Sequence, residues 1–521
     1  MTFFWKKFIK SVFPLLCCIS VHCINEGEFF TSIETMEELF DIEVDLLGSL
    51  DRYIKEQQRI LNLLISRYEE AVQTLYDIKS REKYVSNPIN AFSLIRRLTK
   101  DWPKTLSLVH NITDIIGENE LPGKDEFISA IKAIFRLQDV YKISTEILAK
   151  GKLPGVEKYS ILTAEDCAEI AFYYYSIHFY ELSTQWLLQA LLKVEKDKSM
   201  QTGYILESLA LSTCFEGDQE SSTKYMKQLL KTYPYYTPPP ELVADFNIAL
   251  MQNCSQVAAE RMKARDPSVP ELYPEEIEEY NAMCRAKGRF IPGLRCHYVH
   301  YGNPYLLMGP FKVEELHIEP PILLFHDAMS DEEIKHLKNE SAPYMTRAQI
   351  IMPNGSVRSA DYRTSRITWI EDGEDAVAHR ISQRVKAMTN LDIEHSEMNQ
   401  ISNYGIAGEY ISHSDAIEGI NLTTEPTGNR LATFMFYMSD VEQGGHTVFP
   451  LLKVSIPPKK RAGVFWFNLH ENGTIDYRMR HASCPVVLGS KWVCNKWLHE
   501  AGQELKFPCT ERESNRQYFY L

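Results

Sequence analysis

The chain has 521 residues, 44% hydrophobic and 24% charged, which is ordinary globular composition at a length that asks for about three domains. Its formal net charge of −14 argues against a nucleic-acid binder, which needs a basic face. Of 11 cysteines, Cys17, Cys18 and Cys23 sit near the N-terminus, and the rest are too sparse for a disulfide scaffold, so packed cores must carry the fold.

The chain opens with Lys6, Lys7 and Lys10, followed by the apolar run from Ser11 to Val21. That run is too short to span a bilayer and reads as a signal peptide, residues 1–23, cleaved near Cys23. No other stretch has the length of a membrane span. A secretory route permits disulfides among Cys167, Cys214, Cys254, Cys284, Cys296, Cys484, Cys494 and Cys509, but the residues alone do not pair them. Sequons at Asn111, Asn253, Asn339, Asn354, Asn421 and Asn472 fit the same compartment.

Residues 24–150 read as a helical N-terminal domain for dimerisation or assembly. From about Thr31 to Gln73, Leu39, Ile42, Leu46, Leu50, Tyr53 and Ile54 recur at steps of three and four, the mark of a long amphipathic helix. Residues 151–245 follow as a second helical domain. Two helical hairpins are expected over 163–233, the first capped at Thr163-Ala-Glu-Asp and the second turning at Gly217-Asp218. Such pairs are tetratricopeptide-like and present a concave face to peptides. The first hairpin is dense in aromatics, including Tyr175, Tyr180 and Trp186. They serve either as core or as a groove for a stiff proline-rich peptide.

Tyr236-Thr-Pro-Pro-Pro is a break, and 246–317 reads as a linker. From 318 to 521 short β-rich runs dominate, interrupted by helices near Asp331–Asn339 and Ala376–Met388. The fold class is therefore α+β multidomain, ending in a barrel or jelly roll.

One constellation there carries chemistry. His413-Ser-Asp415 follows a strand-like segment, and alternate strand residues share a face, so this imidazole and carboxylate converge. His481 follows after enough chain for strands to return. Two imidazoles and a carboxylate are the facial triad of non-heme iron(II). Lys491, between apolar strand residues, needs an anion if it faces inward, and the distal carboxylate of 2-oxoglutarate is one.

The stretches Asn403-Tyr-Gly, His413-Ser-Asp, Thr427-Gly-Asn-Arg, Gly444-Gly-His-Thr, Arg480-His-Ala-Ser-Cys-Pro and Lys491-Trp-Val-Cys-Asn-Lys-Trp-Leu-His-Glu together resemble the catalytic domain of the collagen prolyl 4-hydroxylase alpha subunit. Glu28-Phe-Phe-Thr-Ser-Ile, Asn90-Ala-Phe-Ser-Leu-Ile and Gly151-Lys-Leu-Pro-Gly-Val extend the resemblance through the N-terminal half. The resemblance implies a double-stranded β-helix (jelly roll) dioxygenase with iron on His413, Asp415 and His481. It places Lys491 and His499 on 2-oxoglutarate, and Tyr404, Tyr410 and Thr447 around the same pocket. It implies C4 hydroxylation of proline in X-Pro-Gly sequences of procollagen-like chains with O2 and 2-oxoglutarate, yielding succinate and CO2, with L-ascorbate sustaining the iron. It further implies self-association, a protein disulfide isomerase beta subunit, residence in the endoplasmic reticulum lumen, and disulfides Cys284–Cys296 and Cys484–Cys509. The terminal Tyr518-Phe-Tyr-Leu is not a retention signal, so retention is expected through the partner. One departure stands out: Ser208, Leu211 and Cys214 occupy a helix on which tyrosines are expected, which leaves open the same chemistry on another secreted peptide. A non-catalytic assembly subunit is the remaining alternative.

Overall fold

The computed structural model describes residues 33–76, 78, 80–109, 121–156, 159–197, 199–250, 254, 258, 274–286, 293–351, 357–359, 362–419 and 426–511. The expected signal peptide lies outside them. Contacts divide the chain into one unit up to Lys79 and a second from Ser80 onward. The first is a single helix, α1 (Ile33–Tyr76), close to the span its periodicity predicts. It leaves Leu46, Leu50, Tyr53 and Ile54 exposed. Among the described residues, no helix is long and apolar enough to cross a membrane.

The second unit begins with helices. Asn87 caps α2 (Pro88–Arg96), accepting from the Ile89 amide, with proline at the first turn where no amide hydrogen is needed. α3 (Lys124–Tyr141) follows. Four helices then pack each on the next: α4 (Ala164–Ser176), α5 (Tyr180–Asp197), α6 (Thr202–Glu216) and α7 (Gln219–Thr232). These are the two hairpins expected over 163–233. The Thr163 hydroxyl and the Asp166 carboxylate form a reciprocal capping box at the start of α4. Their core buries Ile134, Tyr174, Trp186 and Leu187. Within it Gln138 Oε1 accepts from Trp186 Nε1 (2.8 Å) and Tyr174 OH (3.1 Å), so two polar tips in an apolar core are satisfied.

The stretch read as a linker is built in. It carries the end of α8 (Val243–Leu250), the helix α9 (Pro274–Arg285) and the first two strands. Among the described residues there are seventeen strands, in chain order β1 (Cys296–Val299), β2 (Phe311–His317), β3 (Ile322–His326), β4 (Thr346–Arg347), β5 (Gln349–Ile351), β6 (Val357–Ser359), β7 (Ser365–Ile370), β8 (Asn399–Tyr404), β9 (Tyr410–His413), β10 (Arg430–Tyr437), β11 (Val441–Gly444), β12 (Thr447–Phe449), β13 (Val454–Ile456), β14 (Gly463–Phe467), β15 (His481–Ser483), β16 (Val486–Gly489) and β17 (Lys491–His499). Helices α10 (Asp331–Ser341) and α11 (Ala376–Thr389) interrupt them where the sequence predicts.

Among the described residues the strands form a nine-stranded sheet, β1-β2-β3-β14-β10-β17-β8-β7-β4, a four-stranded sheet, β13-β12-β15-β9, and two strand pairs, β11-β16 and β5-β6, with all pairings antiparallel. Alternation splits the large sheet's side chains. Phe325, Phe434, Phe436 and Phe465 join α10 and α11 in one core. Leu324, Met435, Tyr437 and Trp466 face the small sheet in another. Two antiparallel sheets over a shared core, with α10 and α11 on the outer face of the large one, is the architecture expected for a jelly-roll dioxygenase.

The cysteine pairing differs from expectation. The disulfides are Cys214–Cys254 and Cys284–Cys484, while Cys296 and Cys509 are free and exposed and Cys167 and Cys494 are free and buried. The reason is spatial. α9 lies on the small sheet, which brings the Cys284 and Cys484 Cα atoms to 5.5 Å, within bridging range. Cys296 leaves on β1 at the edge of the large sheet, away from both.

Candidate active site

β9 and β15 are neighbours, and His413 and His481 are direct register partners. Asp415 lies two residues past His413, just beyond the strand end. Its Oδ1 is 3.8 Å from His413 Nε2 and its Oδ2 is 3.6 Å from His481 Nε2. One donor atom from each of the three lies within 4.8 Å of the others. Both imidazoles are oriented through Nδ1, which donates to the Ile411 carbonyl (2.8 Å) in His413 and to the Met479 carbonyl (3.1 Å) in His481. A carbonyl accepts only from a protonated nitrogen, so Nε2 of each ring is left with a free lone pair toward Asp415. Thr433 Oγ1 donates to Asp415 Oδ2 (2.7 Å) and accepts from Asn468 Nδ2 (3.0 Å). The Tyr410 ring stacks on His413 at 3.6 Å, and Trp466 meets His481 edge-on at 4.7 Å.

Charge follows from this packing. Burial and the adjacent His481 push His413 well below the usual histidine range. Burial opposes charge on Asp415, but the two imidazoles, Arg430 and the Thr433 hydroxyl hold it down at about 2. A buried carboxylate faced by imidazole lone pairs is a donor set for a divalent transition metal.

The triad opens into a cavity of about 1140 Å³. At one end is Lys491, 1% exposed. Its Nζ donates to Ser483 Oγ (2.8 Å) and Thr447 Oγ1 (3.4 Å) and lies 5.2 Å from the Tyr404 ring centre. No carboxylate among the described residues pairs with it. Lys496, equally buried on the same strand, is neutralised by Asp372 at 2.9 Å. Unpartnered burial pushes Lys491 down to about 7.

Comparison with known proteins bears on this geometry. Residues 399–499 match the 2OG-Fe(II) oxygenase superfamily, and residues 32–155 match the N-terminal region of the prolyl 4-hydroxylase alpha subunit. The chain is 36% identical to prolyl 4-hydroxylase subunit alpha-1 of Rattus norvegicus, over 94% of this chain and 97% of the relative. It is 36% identical to the Homo sapiens alpha-1 subunit over 93% and 96%. A solved structure, a viral collagen prolyl hydroxylase from Paramecium Bursaria Chlorella virus-1 in complex with 2OG, is similar at 27% identity, covering 34% of this chain and 95% of that one with a TM-score of 0.29. The chain belongs to the prolyl 4-hydroxylase alpha-subunit family.

As a prolyl 4-hydroxylase alpha subunit it is a proline-hydroxylating dioxygenase that uses iron(II) and 2-oxoglutarate. The residues present fit both groups: the triad offers a hard carboxylate and two imidazoles, and Lys491 is a buried cation without a counter-ion.

Most residues singled out in the sequence meet here. Tyr404, Tyr410, His413, Asp415, Thr447, His481 and Lys491 all line the cavity. His499 does not. Its Nδ1 donates to the Gly428 carbonyl (3.0 Å) and its Nε2 lies 3.2 Å from Glu397 Oε1, so it stands behind Arg430, which Glu397 also holds. Arg430 does line the cavity, stacked 4.1 Å over Trp497. Tyr175 and Tyr180 lie in the helical region, packed edge-on against each other and tilted against Phe215. Tyr180 is buried, and Tyr175 OH donates to Asp245 Oδ2 (2.7 Å). Cys214 and Leu211 are buried in that same cluster.

Sequence reasoning missed Ser483, Thr433, Tyr437 and Arg430. Ser483 had a usable signal, because it lies two residues after His481 and therefore on the same strand face. Thr433 had another, as a lone hydroxyl in the apolar run from Leu431 to Phe436. Tyr437, whose hydroxyl donates to Thr447 Oγ1 (2.8 Å), reads as core from sequence alone.

Proposed function

We propose that His413, Asp415 and His481 hold iron(II), and that Lys491 binds the distal carboxylate of 2-oxoglutarate with help from Thr447, Ser483 and Tyr404. The observation that carries this reading is the contrast between two buried lysines on β17: Lys496 has an internal carboxylate and Lys491 has none. A cation held in an apolar site without a counter-ion is costly unless a ligand supplies one. With both groups bound, the site supplies oxidative decarboxylation of 2-oxoglutarate to succinate and CO2, coupled to hydroxylation at C4 of a peptidyl proline. L-ascorbate keeps the metal reduced.

The substrate we infer is the proline of X-Pro-Gly sequences in procollagen-like chains. The cavity wall suits an extended proline-rich peptide, since Tyr410, Trp369 and Trp497 offer ring faces and Arg363 and Arg430 offer donors for its carbonyls. Residues 24–150 would serve assembly. The exposed apolar stripe of α1 supports alpha-subunit self-association, because an unpartnered stripe of that length favours a second helix. Residues 151–245 would be a tetratricopeptide-like peptide-binding domain and 318–521 the catalytic domain. Protein disulfide isomerase is the beta-subunit partner on this reading, and the endoplasmic reticulum lumen the compartment, supported by the signal-like N-terminus and by two disulfides.

A second reading has its own observation. The helical region turns Tyr180, Leu211 and Cys214 inward and ties Tyr175 to Asp245, which favours a peptide other than a long polyproline-like one. The deciding experiment is co-expression with protein disulfide isomerase, then assay of a (Pro-Pro-Gly) repeat peptide for 4-hydroxyproline and succinate together. Equal amounts of both are expected. Succinate without hydroxyproline would retain the iron and 2-oxoglutarate assignments and reject the collagen-like substrate.

A further inference from the structure

Helix α9 presents Glu276, Tyr280 and Cys284 at four-residue intervals, so all three share one face. Each meets the strand pair that carries the two histidines, and each does so from the side away from the cavity. Glu276 accepts from Ser412 Oγ and from Arg480 Nε (3.0 Å), while Arg480 Nη2 donates to the Ser412 carbonyl (3.0 Å). Ser412 immediately precedes His413 and Arg480 immediately precedes His481, so one carboxylate bridges the residues next to both imidazoles. Alternation places these neighbours on the opposite face from the donor atoms. One turn along, Tyr280 OH donates to Glu409 Oε2 (2.9 Å) and lies 3.5 Å from the Ser483 carbonyl. A further turn along, Cys284 is bonded to Cys484.

The strand ladder by itself holds this geometry weakly. β9 and β15 pair only through His481↔His413 and Ser483↔Tyr410, with a register irregularity between them. Bulged, short pairings bend and slip. The separation of the two Nε2 atoms therefore needs a second constraint, and the Glu276 bridge spans the same two strands at the same level.

We propose that α9 is the back plate of the metal centre, with Glu276 and Tyr280 as positioning residues that fix the spacing of His413 and His481. This rests on the reading that those histidines bind a metal. Groups that orient ligands from behind change metal affinity by about 10–100-fold when removed, and the same range is expected here.

The test uses cobalt(II) as the metal probe on the full chain, co-produced with protein disulfide isomerase. Visible absorption is titrated anaerobically against a His413→Ala baseline. Glu276→Ala should raise the cobalt Kd at least tenfold, and Glu276→Gln, which keeps an acceptor for Ser412, should recover part of the loss. Once metal is saturating, the KM for 2-oxoglutarate should stay within about twofold of the parent, a split that general loosening of the domain would not give. Tyr280→Phe removes only a hydroxyl and covers the case in which Glu276→Ala does not fold; it too should weaken cobalt binding. Wild-type-like cobalt affinity in folded Glu276→Ala or in Tyr280→Phe overturns the positioning role while leaving the metal site intact. Absence of a cobalt spectrum in the unsubstituted chain instead overturns the metal reading beneath it.

Discussion

His413 and His481 face each other as register partners across β9 and β15, with ring centres 4.4 Å apart. Two imidazoles this close in a buried site cannot both be protonated cheaply, and His413 is accordingly pushed well below its ordinary range by burial and by His481. Asp415 between them stays ionised. The arrangement is one that a divalent cation relieves, since it supplies the positive charge that the buried carboxylate lacks.

Asp415→Asn should therefore abolish succinate release while preserving the fold, because the amide is isosteric and still accepts from Thr433. Thr433→Val is the milder change. It removes the hydrogen bond to Asp415 Oδ2 and should weaken metal binding about 10–100-fold. Metal titration followed by succinate assay checks both. Unchanged turnover in Asp415→Asn would remove that carboxylate from the donor set.

Lys491 gives a prediction with a defined pH direction. In an unfolded chain a lysine keeps its proton up to about pH 10; in the folded chain burial pushes Lys491 down to about 7. Between those values the unfolded state binds the extra proton, so this residue makes stability rise with pH across the window and costs most below it. Lys491→Met should flatten that part of the Tm profile and raise Tm at neutral pH in the absence of 2-oxoglutarate. Binding runs the other way. On the proposed pairing of the dicarboxylate with the Lys491 ammonium, the KM for 2-oxoglutarate should climb above pH 7, by up to about tenfold per unit. In Lys491→Ala the KM should be much higher throughout and lose that dependence. A pH-independent KM in the unsubstituted enzyme would put the carboxylate elsewhere.

Much of this site was legible in the sequence, for physical reasons that can be named. The spacing of His413 and Asp415 is a strand spacing, and a lysine amid apolar strand residues announces a buried charge. Periodicity likewise located α1 and the helix pairs from Ala164 to Thr232. What the sequence hid depends on three-dimensional return. Nothing local to Glu276 tells that α9 folds back onto β9 and β15, so a charged, proline-punctuated stretch reads as linker. The same return decides the cysteines, since Cys284 meets Cys484 only because α9 docks there. Tyr175 and Tyr180 were ambiguous between groove and core; Tyr180 is buried against Phe215, while Tyr175 is half-buried with its hydroxyl on Asp245. His499 matched a motif position, but its partners Gly428 and Glu397 draw its ring out of the cavity wall.

The helical region yields a prediction on stability and not on affinity. Tyr180 is 1% exposed, with its ring against Tyr175 and Phe215 and its hydroxyl 2.8 Å from His178 Nδ1. Tyr180→Ala should cost about 3–5 kcal/mol of stability, as for other buried aromatics. Tyr175→Phe, which loses only the bond to Asp245, should cost about 1 kcal/mol. Urea denaturation reads both. A large rise in peptide KM in Tyr180→Ala without loss of stability would instead make that ring a peptide contact.

The pairing of Cys284 with Cys484 closes a loop across 200 positions. In the chain-entropy picture a loop of that size restricts the unfolded state by about 5 kcal/mol. The Cys284→Ser, Cys484→Ser double variant should therefore unfold at much lower denaturant. It should also bind metal less tightly, because the bridge anchors α9 three residues after His481. Cys296→Ser and Cys509→Ser should change neither property, since both thiols are exposed and unbonded. Peptide mapping without reductant is the direct check, and it should yield a cross-linked fragment joining the Cys284 and Cys484 peptides beside the one joining Cys214 and Cys254. Recovery of Cys284 joined to Cys296 would restore the pairing implied by family resemblance and leave α9 docked through its non-covalent contacts, those of Glu276, Tyr280 and Arg285 among them.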